Sequence, residues 1–125
     1  MNKIKIAHVL HSVGGVDVHL RLILSRLNSE KFTNIIIKGT DDTSSIFFDE
    51  NNNPVKTYNT SIARNINPIK DTESYFEVKK IIKNEEPDLI HGHSAKGGIF
   101  SKLVGSSTNI PVLHTPHAYS YLSAE

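Results

Sequence analysis

The order of its segments constrains this chain most: three times a short apolar run passes through turn residues into a stretch with helical spacing. Residues Ile4 to Leu10 read as a strand and stop at His11-Ser12-Val13-Gly14-Gly15. Val16, Leu20, Ile23, Leu24 and Leu27 then recur at the spacing of one helix face. A second strand is expected over Phe32 to Ile37, closed by turn residues from Gly39 to Thr43. Repeated strand-then-helix order predicts an α/β fold: a Rossmann-like, doubly wound parallel sheet with helices on both faces and any ligand at the C-terminal ends of the strands.

The pattern weakens between Asp41 and Pro68, where a short helix around Ser44 to Phe48 and a short strand at Val55 to Tyr58 are expected. Asp71 is placed as the N-cap of a helix running through Glu86 and stopped by Pro87. A strand over Asp88 to His93, a helix over Ala95 to Val104 ended by Gly105, and a strand over Pro111 to His114 complete the order.

A length of 125 residues, 38% of them apolar, suits one domain with its own core. A net charge of +1 gives no electrostatic footprint for nucleic acid. Without cysteine there can be no disulfide framework or thiolate nucleophile, and any metal would need His, Asp or Glu. Lys3, Lys5 and His8 interrupt the first apolar run, so it is neither a signal-peptide core nor a membrane span. A soluble, cytoplasmic chain is the expectation.

Three strand ends carry unusual residues, His11 to Gly15, His91 to Lys96 and His114 to His117, and a parallel sheet would bring them to one edge. Gly14 and Gly15 either make a tight turn or let the backbone approach an anion such as a diphosphate at the start of a helix. They are not the dinucleotide fingerprint, because no third glycine follows at its spacing, although Asp41 or Asp42 could imitate the ribose-binding acid. His91 and His93 lie two apart and project to one face, where zinc would need a third ligand from His11, His114 or His117. His8 shares a face with Ile4, Ile6 and Leu10 and reads as a hydrogen-bonded core histidine. His19 either faces the cleft or flanks the core, and Lys96 is either solvated or placed to meet an acceptor phosphate.

The string HVLHSVGGVDVHLRLILSRL resembles the opening of family-4 nucleotide-sugar glycosyltransferases of the GT-B fold. EEPDLIHGHSAKGGIFSKL and IPVLHTPHAYSYL are similar to two further blocks of that family, in the same order. The resemblance implies the N-terminal, acceptor-side domain of a retaining enzyme whose C-terminal donor domain binds most of the nucleotide-sugar. It further implies that Gly14 and Gly15 lie against the donor diphosphate and that His117 sits near the transferring sugar as the catalytic histidine. His93, Ser94 and Lys96 would border the acceptor or cleft, beside His19 if that residue faces the cleft. Implied partners are a nucleotide-sugar donor and a glycan or lipid-linked acceptor, with the enzyme cytoplasmic or peripheral at the inner face of the membrane and serving surface polysaccharide synthesis. Neither a metal nor a cofactor beyond the donor is implied. Asp17 stands where the family commonly has Glu, and the chain is expected to be truncated before the donor domain, which would leave it inactive alone. Two other classes stay open on the residues: a non-catalytic Rossmann-like binding module and a histidine-ligated metallohydrolase.

Overall fold

Alternation along β1 (Ile4–Val9) sends Ala7 and Val9 to one face of a sheet and Ile6, His8 and the following Leu10 to the other. The computed structural model describes residues 3–11, 14–39, 46–63 and 67–116. After β1 come α1 (Gly14–Arg26), β2 (Phe32–Gly39), β3 (Lys56–Thr60), α2 (Pro68–Glu85), β4 (Leu89–His93), α3 (Ser94–Thr108) and β5 (Val112–Thr115). The five strands are all parallel in the order β3-β2-β1-β4-β5. Chain direction across the sheet reverses between β1 and β4, which makes their C-terminal ends the switch point where such sheets hold ligands.

Each face buries its own apolar cluster, as the doubly wound expectation requires. Ala7, Val9, Ile35, Ile37 and Ile90 pack against Val78 and Ile82 of α2 and Phe100 and Val104 of α3. On the other face Leu10 and Ile36 meet Leu20 and Leu24 of α1, with Phe47 and Val55 closing the cluster. At the opposite edge from the switch point, Glu85 gathers Lys5 at 3.2 Å, Lys56 at 2.8 Å and the hydroxyl of Tyr58. The hydrogen bonds from Lys56 and Tyr58 hold its carboxyl down to about 2, so this clamp is intact at neutral pH and is lost only as pH falls from the ordinary glutamate range toward that value.

Several boundaries differ from the sequence expectation for local reasons. Helix α2 starts at Pro68, whose fixed φ and missing N–H suit the first helical position, and Asn67 rather than Asp71 caps it by accepting from the Lys70 N–H at 3.1 Å. Asp71 instead accepts the Asn67 N–H at 3.1 Å. Helix α3 continues past Gly105 to Thr108, because the space of a Gly105 Cβ is taken by Val112 and the Ile110 carbonyl; Asn109, left-handed at φ 58°, is the terminator. The helix expected around Ser44 to Phe48 is not found in its described part: Phe47 is buried in the core without helical structure and Phe48 bridges Pro54 antiparallel. Ser44 and Ser45 lie outside the described residues, and the short strand runs over Lys56–Thr60 rather than Val55 to Tyr58.

Small residues seat α3 on the two central strands. A Cβ on Gly97 would strike the carbonyl oxygen of Val9 and come within 3.2 Å of Leu10 Cα, and one on Gly92 would meet the Gly97 oxygen and Ser101 Oγ at 2.7 Å. Both obstacles at Gly97 are backbone of a buried strand. Gly97→Ala should therefore destabilise the chain by about 2 kcal/mol or more, against a negligible loss for Lys102→Ala on the exposed side of the same helix; urea unfolding of the two variants measures this.

Candidate functional site

The register of β1 on β4 places His8 directly beside His91, and the period of two along β4 brings His93 to the same face. All three imidazoles are buried, with relative exposures of 1%, 8% and 0%. Ring centroids stand 3.9 Å apart for His91 and His93 and 5.3 Å for His8 with either. His8 Nε2 lies 2.9 Å from Asn34 Oδ1, which can only accept, so Nε2 carries the proton. In the neutral ring His8 Nδ1 must then accept, and it does so from His93 Nε2–H at 3.0 Å. His91 Nε2 is held by Thr115 Oγ1 at 2.6 Å. Burial pushes the His8 imidazole down to about 4, opposed in part by the Asn34 hydrogen bond and reinforced by His91.

Above this cluster, His19 of α1 brings its ring to 6.5 Å from that of His93. Gly14 and Gly15 are the first two residues of α1 rather than a turn before it, so their N–H groups belong to the first helical turn, where no intrahelical acceptor exists. Asp17 in the next positions is ion-paired to Arg21 at 2.8 Å, and Arg21 also stacks 4.2 Å over Phe47 and donates to the Ile46 carbonyl. The carboxylate nearest the helix start is thus neutralised within its own helix.

The expected cleft residues divide between the two faces. His19 and His93 share the α1 face, whereas Lys96 reaches Asp71 of α2 at 2.5 Å, on the α2–α3 side of the sheet. That contact holds the Asp71 carboxyl below its ordinary range. Ser94 joins strand to helix in a left-handed conformation, φ 62°, and its carbonyl accepts from His114 Nε2 at 2.8 Å. The strain of a non-glycine residue there is the kind concentrated at ligand-facing turns. His117, Ser12, Asp41 and Asp42 lie outside the described residues.

One expectation is corrected: among the described residues the third imidazole beside His91 and His93 is His8, not His11 or His114. His8 is at the same time the hydrogen-bonded core histidine that its strand face predicts. Asn34 and Thr115 were not singled out by sequence; the signal was a polar side chain interrupting the apolar run Phe32 to Ile37 in the parity that meets His8. Because the folded value of His8 lies below its unfolded 6.5, the unfolded chain takes up the proton first. Its contribution, roughly 3 kcal/mol, is complete above pH 6.5 and lost as pH falls toward 4. Urea unfolding across that window should show the loss, and His8→Gln should flatten the slope; an unchanged slope would remove His8 as its source.

Comparison with known proteins agrees with this architecture. The family model described as Glycosyltransferase Family 4 matches residues 13–124. An Escherichia coli UDP-Gal:alpha-D-GlcNAc-diphosphoundecaprenol alpha-1,3-galactosyltransferase is 33% identical over 135 aligned positions, which cover 99% of this chain and 32% of the relative. The chain thus spans about a third of the length of the curated relative it matches. Among solved structures, Acinetobacter baumannii MurG superposes with a TM-score of 0.71 at 14% identity, over 97% of this chain and 39% of its own. A Methanocaldococcus jannaschii UDP-GlcNAc 2-epimerase, solved with UDP-GlcNAc and UDP, superposes with a TM-score of 0.67 at 24% identity, over 90% of this chain and 32% of its own. The structural likenesses establish the Rossmann-like fold, and the family match over nearly the whole sequence establishes the rest: the chain belongs to glycosyltransferase family 4.

Proposed function

We propose that this chain is the acceptor-side domain of a retaining glycosyltransferase that moves a sugar from a nucleotide-sugar to a lipid-linked or glycan acceptor in surface polysaccharide synthesis. The observation that carries this reading is the 33% identity across 99% of the chain with a galactosyltransferase whose name specifies a UDP-sugar donor and a diphosphoundecaprenol-linked acceptor. A polyprenyl acceptor resides in a bilayer, so a cytoplasmic enzyme would work peripherally at the membrane. No helix among the described residues is long and apolar enough to cross it.

In the proposed reaction the bond from the anomeric carbon to the diphosphate oxygen breaks while the acceptor hydroxyl oxygen bonds that carbon on the same face and gives its proton to the departing diphosphate. Positive charge develops on the sugar and negative charge on the departing diphosphate. The N–H groups of Gly14 and Gly15 and the dipole of α1 favour the latter. His117 is the catalytic residue of this scheme: it holds the transferring sugar's hydroxyls and orients the anomeric carbon. His19 and Ser94 border the acceptor side, and the buried His93 acts only from beneath His19. Lys96 acts there indirectly, by fixing the start of α2 through Asp71. A second, donor-binding domain supplies further cations and excludes water.

Transfer assays on the protein carrying both domains, with UDP- and GDP-sugars and a diphospholipid-linked acceptor, test the reading. Gly15→Val should abolish turnover while leaving the fold intact, because a branched Cβ blocks the diphosphate's approach. His117→Ala should lower kcat about 100-fold or more with acceptor KM little changed, since sugar positioning is felt mainly in the transition state. Normal turnover by a folded Gly15→Val protein, or a His117→Ala effect confined to KM, contradicts these assignments.

A further inference from the structure

We propose that His8, His91 and His93 form a binding site for a divalent transition metal of the zinc class, independent of the glycosyl-transfer reading. Each ring places one ligand nitrogen within 4.8 Å of the other two. His8 Nδ1 and His93 Nε2 are already 3.0 Å apart, close to the separation of about 3.3 Å between ligands of a tetrahedral ion with bonds of about 2.0–2.1 Å. The outer partners match those of known metal sites: Asn34 Oδ1 accepts from His8 Nε2–H and fixes the tautomer that leaves Nδ1 its lone pair, and Thr115 Oγ1 anchors His91.

The scaffold is rigid where it matters. His8 and His91 are register partners on adjacent central strands, and His93 ends β4 just before α3, so a small rotation of side chains, not of backbone, closes the set. An all-imidazole donor set with no carboxylate selects zinc, cobalt, nickel or copper over magnesium or calcium. Three protein ligands leave the fourth position of a tetrahedral ion to water or an anion.

The proton balance of the site follows from its tautomers. His93 Nε2 gives its proton to the His8 Nδ1 hydrogen bond in the metal-free protein. An ion bound between those nitrogens takes that proton's place, and the neutral His93 ring keeps its proton by carrying it on Nδ1 instead, so the ring ligates as its other tautomer. Binding to the neutral rings should therefore leave the proton count unchanged and tie β1 to β4, raising the unfolding temperature.

The test uses the 125-residue chain stripped with chelator and titrated with Co²⁺ and Zn²⁺ by absorption spectroscopy and by calorimetry. Expected are one ion per chain, the intense visible bands of four-coordinate cobalt, and a thermal midpoint that rises with zinc. His91→Gln and His93→Gln should each weaken binding at least about tenfold, while His114→Gln, outside the cluster, should bind like the parent. His8→Gln extends the set if it folds; if it does not, the two β4 variants decide. A folded parent that shows no cobalt bands, or binding that survives both β4 substitutions or disappears with His114→Gln, overturns the proposal and leaves the cluster a hydrogen-bonded polar core.

Discussion

Pairing of β1 with β4 is the constraint on which the rest of this molecule depends. It joins the first strand to one that begins about 80 residues later in the chain, with Ile6 beside Leu89 and His8 beside His91. It also creates the switch point at which the sheet order reverses. The pairing is locked from the α2–α3 face by glycine: Gly97 lies on the Val9 carbonyl and Gly92 lies beneath Gly97 and Ser101. A helix bearing ordinary side chains at those positions would stand further off, and the polar edge it helps to frame would widen.

The same two strands then treat their two faces oppositely. Toward α2 and α3 they present Ala7, Val9 and Ile90. Toward α1, at the C-terminal edge, they present three imidazoles in place of apolar side chains. Burying an imidazole is costly unless its ring nitrogens are hydrogen-bonded, so the chain Asn34–His8–His93 and the contact of His91 with Thr115 are what make this face tolerable. A polar patch under the first turns of α1, maintained at such cost, is the arrangement expected where a sheet is shaped for a polar ligand and not for stability alone.

How much of this was legible in the sequence follows from period and range. The parallel α/β architecture, both helical faces and all five strands could be read from alternation, because strands and helices with one buried face write their period into residue order. Helix ends were read less well. Asp71 has the composition of a cap, but Pro68 takes the first helical position and moves the cap to Asn67, and Gly105 has the composition of a terminator but is used for packing. The alignment of His8 with His91 was hidden because strand register across 80 or so residues has no local signature. Once the register is known, the matching parities of His8, His91, His93 and Asn34 follow directly.

In the proposed function, the glycine-opened helix and the polar switch point form one side of a cleft that closes against a second domain. The most direct measurement is calorimetric titration of the 125-residue chain with UDP- and GDP-sugars, alongside the two-domain protein, with transfer followed on the same samples. The account requires a folded chain that binds nucleotide-sugar weakly and transfers nothing, and a two-domain protein that does both. Tight binding or turnover by the chain alone would show that the cleft is already complete within it and that no second domain is needed.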